Sequence, residues 1–569
     1  MNTQQRASCI EKLNNAQFDV VVIGAGINGA SVFRDLAING VSVLLLDKQD
    51  FCAGASAAPS RLIHGGIKYL ENGEFRLVAE STHERNRLLL NAGHLVKPLP
   101  CTIPFDSWFG GLFSSAFKFL RLPGGRFKKR GVVVVKLGLM IYDWMGRKQR
   151  VMPTHEVIGS SESRKKFSGL APSVVATGTY FDALITQPER LCVELITDTL
   201  ADTEELDNEC CALNYASVIS ADANQLCVRD EIQGDEFKVG ATIVVNAAGP
   251  WIDKVNNVLG IDSRYIGGSK GSHLILNHPE MQASLNGHML YFETGDNRLC
   301  LAYSIGDRVL VGTTDIRVDD PDTSKCEEEE IDYLIKVMGE LLPDIPFDRQ
   351  HIVYRYSGVR PLPFSDGVGV GKVSRDHSIE TDEPTDTRAF TVMSLVGGKW
   401  TTFRAFGEVS ANQVFSRLDR VRERNTVDLA IGGGREYPNN ENRSATIKSL
   451  SEQYQLSEGV VGQVMDRYGC KHGLLSALSA NEDGAKPLQS VPDYDRAEVV
   501  FACQHEKVAH LEDFFYRRST LALEGRASAN VVDEVAAIAA EELGWDAKRL
   551  HDEVDRCNAR LDSDGRRSS

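Results

Sequence analysis

Apolar and polar residues first fall into a regular pattern at Phe18. The run FDVVVIG, residues 18–24, is apolar from Val20 onward, as a parallel strand buried on both faces must be. The turn Gly24-Ala25-Gly26-Ile27-Asn28-Gly29 follows, then a short helical period from Ala30 to Asn39, which Gly40 ends. A second apolar run, VSVLLLD at 41–47, completes a βαβ unit. Strands are predicted again between Leu226 and Val245, ending at ATIVVNAAGPW. Alternation in SHLILN (272–277), NRLCLAYS (297–304) and DRVLVGTTD (307–315) predicts an antiparallel sheet, suited to a substrate domain inserted into a parallel-sheet domain. Glu327 to Glu330 before IDYLIKVM reads as a solvated first turn favoured by the helix dipole. After Gly432-Gly433-Gly434 the polar stretch 435–449 reads as a linker, and the pattern beyond it is helical. In 530–543, Val532, Val535, Ile538 and Ala539 share one face, Asn530 is placed to cap, and Asp533 and Glu534 fall in the first turn.

A chain of 569 residues should build two or three domains around more than one core. The net charge of −16 argues against nucleic acid as a partner, because a phosphate backbone needs a basic footprint. An anionic substrate would need a local cluster of Arg and Lys. The 12 cysteines show no C-x-x-C pair and no zinc spacing, which predicts free thiols in a reducing compartment and no metal. Residues 1–17 lack the apolar core of a signal peptide, and no run reaches the ~18 apolar residues that span a bilayer. The expectation is a cytoplasmic protein, or one resting on a membrane surface.

Gly24, Gly26 and Gly29 form G-x-G-x-x-G between a strand and a helix. The first glycine permits the turn, the second lets backbone approach a pyrophosphate, and the third lets helix and strand pack closely. The helix N-terminus then presents partial positive charge to the phosphates. Asp47, 18 residues after Gly29, is placed to accept hydrogen bonds from an adenosine ribose. This fingerprint does not separate FAD from NAD. Two further small-residue turns, Ala247-Ala248-Gly249-Pro250 and Gly397-Gly398-Lys399, suit a long cofactor touched in several places, where a simple NAD site needs only the first.

With these blocks in order, the chain resembles the FAD-dependent glycerol-3-phosphate dehydrogenases of the membrane-associated, quinone-linked type. The resemblance runs from about Phe18 to about Leu561 and rests on SRLIHGGIKYLENGEFRL (60–77), AAGPW (247–251), KGSH (270–273), VGTTD (311–315), YSGVRPL (356–362), SRD (374–376) and GGKWTTFR (397–404). It implies an α/β fold: a glutathione-reductase-type FAD-binding Rossmann domain, an inserted antiparallel-sheet substrate domain and a C-terminal α-helical domain. The expected division is a 1–17 extension, an FAD-binding domain of 18–100, 181–265 and 355–412, a substrate domain of 101–180 and 266–354, and a helical domain of 436–561. Implied cofactor contacts are Gly24, Ala25, Gly26, Asn28, Gly29, Asp47, Lys48, Ser56, Ser60, Arg61, His64, Gly65, Ala248, Gly249, Gly398, Thr401 and Thr402.

The resemblance further implies oxidation of sn-glycerol 3-phosphate, with electrons passed to quinone. Arg360, Arg375 and Lys399 match positions lining the family's active site; Arg suits bidentate phosphate contact and Lys supplies a point charge. A base must accept the hydroxyl proton as hydride leaves C2. His273 is the favoured base and His64 a flavin-packing residue; Arg360 and Lys399 would stabilise developing negative charge. Lys68 and Tyr69 join the substrate contacts, although Ile67-Lys68-Tyr69 carries Lys where the family usually carries Arg, which keeps the charge but loses the planar fork. Erythritol phosphate or another polyol phosphate would suit the same apparatus, and so would an oxidase that reduces oxygen. A flavin-binding protein without chemistry and an NAD-linked dehydrogenase are the contrasting classes; the first would stay unbleached by any polyol phosphate and the second would be colourless.

Residues 108–150 carry ten basic residues against the single acid Asp143, interleaved with Trp108, Phe109, Phe113, Phe117, Phe119 and Trp144. Such a segment suits an anionic lipid surface on the inner face of the cell membrane. A solvated basic face over an aromatic core is the other reading. The sequence carries no signal of oligomeric state, and a homodimer stays open.

Overall fold

The computed structural model describes residues 2–67, 74–108, 131–145, 152–206, 208–296, 298–365, 376–480 and 486–565. Lys68, Tyr69, Arg375 and most of the basic aromatic stretch lie outside them.

Two sheets organise the chain. The first, of eight strands, is built on the buried parallel run Ala16–Ile23, flanked by Val43–Leu46 on one side and Glu236–Asn246 on the other. Cys210–Leu213 and Thr391–Val396 extend it in parallel, and Ser378–Asp382 closes one edge antiparallel. Val20, Val21 and Val22 are fully buried, which explains their continuous apolar run. Helix Ile27–Ala37 packs across this sheet, with Phe33 and Leu36 in the core.

The second sheet has ten strands and is the substrate-side platform. Ile266–Leu276, Arg308–Gly312, Leu299–Ile305 and Met289–Glu293 form its antiparallel centre, as the alternation predicted. Its strands are drawn from segments on both sides of the expected division. Val96–Phe105 and Ala176–Ile185 pair along their whole lengths, so the cuts at 100/101 and 180/181 fall inside strands of one sheet. Ile352–Pro363 pairs with Ile266–Leu276 and belongs to this platform, although 355–412 was assigned to the cofactor domain. Alternation identifies a strand; it does not say which of two sheets receives its backbone groups.

Three smaller features have local causes. Within the 1–17 extension, Thr3–Leu13 is a helix with an Asn2/Gln5 capping box, and buried Arg6 pairs with Asp230 at 2.7 Å. Helix Glu328–Leu341 begins where its acids predicted, but Glu330 is buried rather than solvated, 2.7 Å from Lys270 Nζ. Helix Ala529–Leu543 has Ser528, not Asn530, at its N-cap position, without a side-chain cap bond, which moves Asp533 and Glu534 out of the first turn.

Beyond Arg443, inside the stretch read as a linker, the described residues include the helices Arg443–Tyr454, Glu458–Tyr468, His472–Ala480, Arg496–His505, Ala529–Leu543 and Ala547–Asp564. Among the described residues no helix is long and apolar enough to cross a membrane.

Candidate functional site

The glycine turn after Ala16–Ile23 is where backbone meets backbone. Gly24 has φ +103°, and a Cβ there would sit 2.6 Å from the Ala247 carbonyl oxygen, so no other residue fits the turn. At Gly29 a Cβ would lie 1.8 Å from the Gly24 oxygen, which makes this the helix-to-strand packing glycine. The helix Ile27–Ala37 starts here with its amides facing a cavity, and Ser56 Oγ accepts from the Ile27 amide at 3.0 Å.

Asp47 ends the second strand of the unit. Its two carboxylate oxygens accept from Ala25 N at 2.7 Å and Gln49 N at 2.9 Å. Burial raises its pKa to about 6, against the lowering effect of those two amides. Lys48 beside it lies 4.7 Å above the Trp251 ring and 3.6 Å from Asp322.

One cavity of about 840 Å³ joins this nucleotide end to the sheet platform. Its wall includes Gly24, Gly26, Asn28, Asp47, Lys48, Ser56, Ser60 and His64. Ala248, Gly249, Gly398 and Thr401 add the two later turns, and His273, Arg360 and Lys399 come from the platform and the last turn. These residues are thus brought together from segments spread between Gly24 and Thr401. Ala25, Gly29, Arg61, Gly65 and Thr402 do not line the cavity. Ala25 and Gly29 act through the turn geometry. Arg61 is spent on a buried pair with Glu189 at 2.6 Å and on the Thr186 carbonyl, so it supports the wall from behind. Gly65 donates to Tyr142 Oη at 2.9 Å and Asp182 at 3.1 Å, and a Cβ there would lie 2.2 Å from Tyr142 Oη.

The residues fit a flavin dinucleotide. A φ-positive turn that backbone alone can occupy, a helix N-terminus, a carboxylate at a strand end and a cavity long enough to reach all three turns are what such a cofactor needs. Gly398, at φ +88°, leaves a Cβ only 2.8 Å from Asn28 Nδ2, so the third turn closes directly on the first.

At the platform end, Arg360 and His273 stand on neighbouring antiparallel strands, with Ser269 opposite Arg360 and His273 opposite Tyr356. Arg360 Nη1 lies 3.4 Å from Asp315 and Nη2 donates to Thr313 Oγ1 at 3.2 Å, which fixes the plane of the guanidinium. His273 stacks on Tyr356 at 4.9 Å and is 1 % exposed. Burial, then Arg360 and Arg61, push its pKa down to about 3, so the imidazole is neutral throughout the working pH range. Sequence reasoning assigned no role to Asp315, Thr313, Tyr180 or Asp182. The VGTTD block was a signal for the first two; the latter two sit in a strand with no motif.

Residues 19–413 match the family model described as FAD dependent oxidoreductase, and 424–550 the one described as the C-terminal domain of alpha-glycerophosphate oxidase. The chain is 32% identical over 537 residues to a glycerol-3-phosphate dehydrogenase of Synechocystis sp., covering 90% of each. It is 28% identical to a mitochondrial glycerol-3-phosphate dehydrogenase of Arabidopsis thaliana, over 98% of this chain and 88% of that one. The glycerol-3-phosphate dehydrogenase of Bacillus halodurans, solved with FAD, shares the fold at a TM-score of 0.74 and 20% identity, over 99% of this chain and 98% of that one.

Proposed function

The chain belongs to the FAD dependent oxidoreductase family, and from that premise we propose that it oxidises sn-glycerol 3-phosphate to dihydroxyacetone phosphate and passes the electrons to a quinone. The observation that carries this reading is the single cavity in which Asp47 and the glycine turns meet His273, Arg360 and Lys399. Bound FAD supplies the acceptor for the hydride that leaves C2 of the substrate.

The protein's own part is to hold a phosphorylated alcohol and remove its proton. Arg360, held planar by Asp315 and Thr313, presents a fork to phosphate or to the developing alkoxide. Lys399 adds a positive charge at the same wall. Lys68, Tyr69 and Arg375 complete the substrate contacts in this reading, outside the described residues. His273 serves as the base. A low pKa does not disqualify it, because the hydroxyl becomes strongly acidic as hydride departs, and the neutral imidazole accepts a proton at Nε2 in its Nδ1–H tautomer. His64, whose amide donates to Thr401 Oγ1 at 3.0 Å, packs on the flavin side.

A membrane surface is the meeting place with quinone. Helix Val132–Met145 supports this: Val133, Leu137, Met140 and Trp144 follow one another along one exposed face, at 43%, 61%, 53% and 60% exposure, and the Val133 amide donates at 3.3 Å to the carbonyl of Trp108, itself 47% exposed.

Anaerobic titration of the purified holoprotein with glycerol 3-phosphate tests the central claim. The flavin absorbance band should bleach at one equivalent of substrate. A panel with erythritol phosphate and other phosphorylated polyols, read with a dye acceptor, should rank glycerol 3-phosphate first; a band that no polyol phosphate bleaches sinks the reading.

A further inference from the structure

His273 is a recessed base. Its Nδ1 is buried and has no hydrogen-bond partner among the described residues, so the imidazole faces outward through Nε2. That atom does not meet the cavity alone: it shares a hydrogen bond of 2.8 Å with Ser60 Oγ. Ser60 is partly exposed and lines the cavity, whereas His273 is almost wholly covered. Both residues line the cavity, and the serine is the more exposed of the hydrogen-bonded pair.

The pair is held with little freedom. The imidazole lies against Gly312, where a Cβ would be 2.2 Å from His273 Cδ2, and it stacks on Tyr356 with the planes 14° apart. Tyr356 Oη donates to the Pro59 carbonyl at 2.9 Å and Tyr303 Oη to the Ser60 carbonyl at 2.9 Å. Two tyrosines of the platform thus pin the loop that carries Ser60, and one of them also carries the histidine. Such double fastening is more than a flavin contact requires, and it fixes the Oγ–Nε2 line.

Resting on the function proposed above, we propose that Ser60 and His273 act as one proton-accepting unit. Ser60 Oγ takes the proton of the substrate hydroxyl while its own proton passes to Nε2 of His273. As the O–H electron pair becomes the second bond of the carbonyl, the electron pair of the C2–H bond leaves as hydride, for which bound FAD would supply the acceptor. The proton then resides on the imidazole and returns to water by the same serine. The charged groups that face the imidazole are Arg360 from one strand and Arg61 behind it. Asp315 sits on the first and Glu189 on the second. Phosphate bound at Arg360 would lessen the repulsion that the imidazolium meets there.

The test uses the holoenzyme with Ser60→Ala, Ser60→Thr, His273→Gln and the Ser60→Ala/His273→Gln double variant. Flavin content and spectrum report separately on cofactor retention. Ser60→Ala should lower kcat about 10²-fold with KM changed less than about 3-fold and flavin content unchanged, as expected for loss of a positioned proton acceptor. Ser60→Thr, which keeps the hydroxyl, should restore most of kcat. The double variant should be no slower than either single one, because two residues acting as a unit are lost together. Diethyl pyrocarbonate with peptide mapping gives a readout apart from turnover: His273 should be protected in the parent and carbethoxylated in Ser60→Ala. The unit is overturned if Ser60→Ala keeps kcat, if it fails only by shedding flavin, if the losses multiply in the double variant, or if His273 is equally reactive in both proteins. Failure of the parent to bleach with any polyol phosphate is a different result and overturns the function instead.

Discussion

Arg360 shows how one side chain becomes specific through its neighbours. Asp315 and Thr313 fix its plane, and Ser269 stands opposite it on the adjoining strand. Replacing it by Ala should cost about 3 kcal/mol of transition-state stabilisation, roughly 10²-fold in kcat/KM, as for removal of one preorganised donor at developing negative charge. Arg360→Lys should recover only part of this, since an ammonium keeps the charge without the fork. Steady-state kinetics with glycerol 3-phosphate decide both. Asp47 makes a pH prediction. Its carboxyl has a raised pKa of about 6, and the ionised form accepts the ribose hydroxyls. Flavin affinity should then be full above that value and fall as pH drops through about 6. Titrating flavin-depleted protein between pH 5 and pH 8 measures this, and Asp47→Asn should bind more weakly with a flat profile. His273, neutral down to about pH 3, should contribute no acid limb near the usual imidazole value to the kcat profile.

At the scale of elements, helix Val132–Met145 has two faces with different work. Leu139 and Tyr142 are buried, and Tyr142 Oη joins Gly65, Arg85 and Asp182 behind the cavity wall. The opposite face carries the exposed apolar residues. A helix of 14 residues is only about 21 Å long, shorter than the hydrocarbon core, so it would lie in the interface and not cross it. Leu137→Glu/Met140→Glu should abolish flotation with anionic phosphatidylserine vesicles and leave turnover with a soluble dye unchanged. Retained flotation would assign the membrane contact elsewhere. The glycine turn makes the contrasting case: Gly24→Ala forces a Cβ into the Ala247 carbonyl, and the purified protein should come out without flavin.

At the scale of the whole molecule, the helical C-terminal region is fastened to the cofactor domain by buried charge. Asp50, three residues beyond Asp47, pairs with Arg518 at 2.6 Å and with Arg517, which also holds Asp513 at 2.5 Å. Tyr215 Oη donates to Asp513 at 2.6 Å, and Arg190 pairs with Glu506 at 2.7 Å. Leaving one partner of such a network unpaired costs far more than the network contributes as a whole. Asp50→Ala should lower stability by about 3–5 kcal/mol, seen as a fall in Tm and in flavin retained after purification. An unchanged Tm would mean that water reaches these arginines.

What the sequence determined is what depends on local spacing. The apolar run from Val20, the three glycines and the acid at 47 dictate a dinucleotide turn, because backbone approach and helix polarity leave few residue types admissible. The motif blocks pointed to His273, Arg360 and Lys399, which line one cavity. What only the tertiary structure decided is which sheet each strand joins, that Glu330 and Arg61 are consumed by buried partners, and that Ser60 hydrogen-bonds His273. These rest on pairings between residues far apart in the chain. Periodicity records that a side chain is buried or exposed, whereas the identity of its partner is set by strand register and by the docking of one sheet on another.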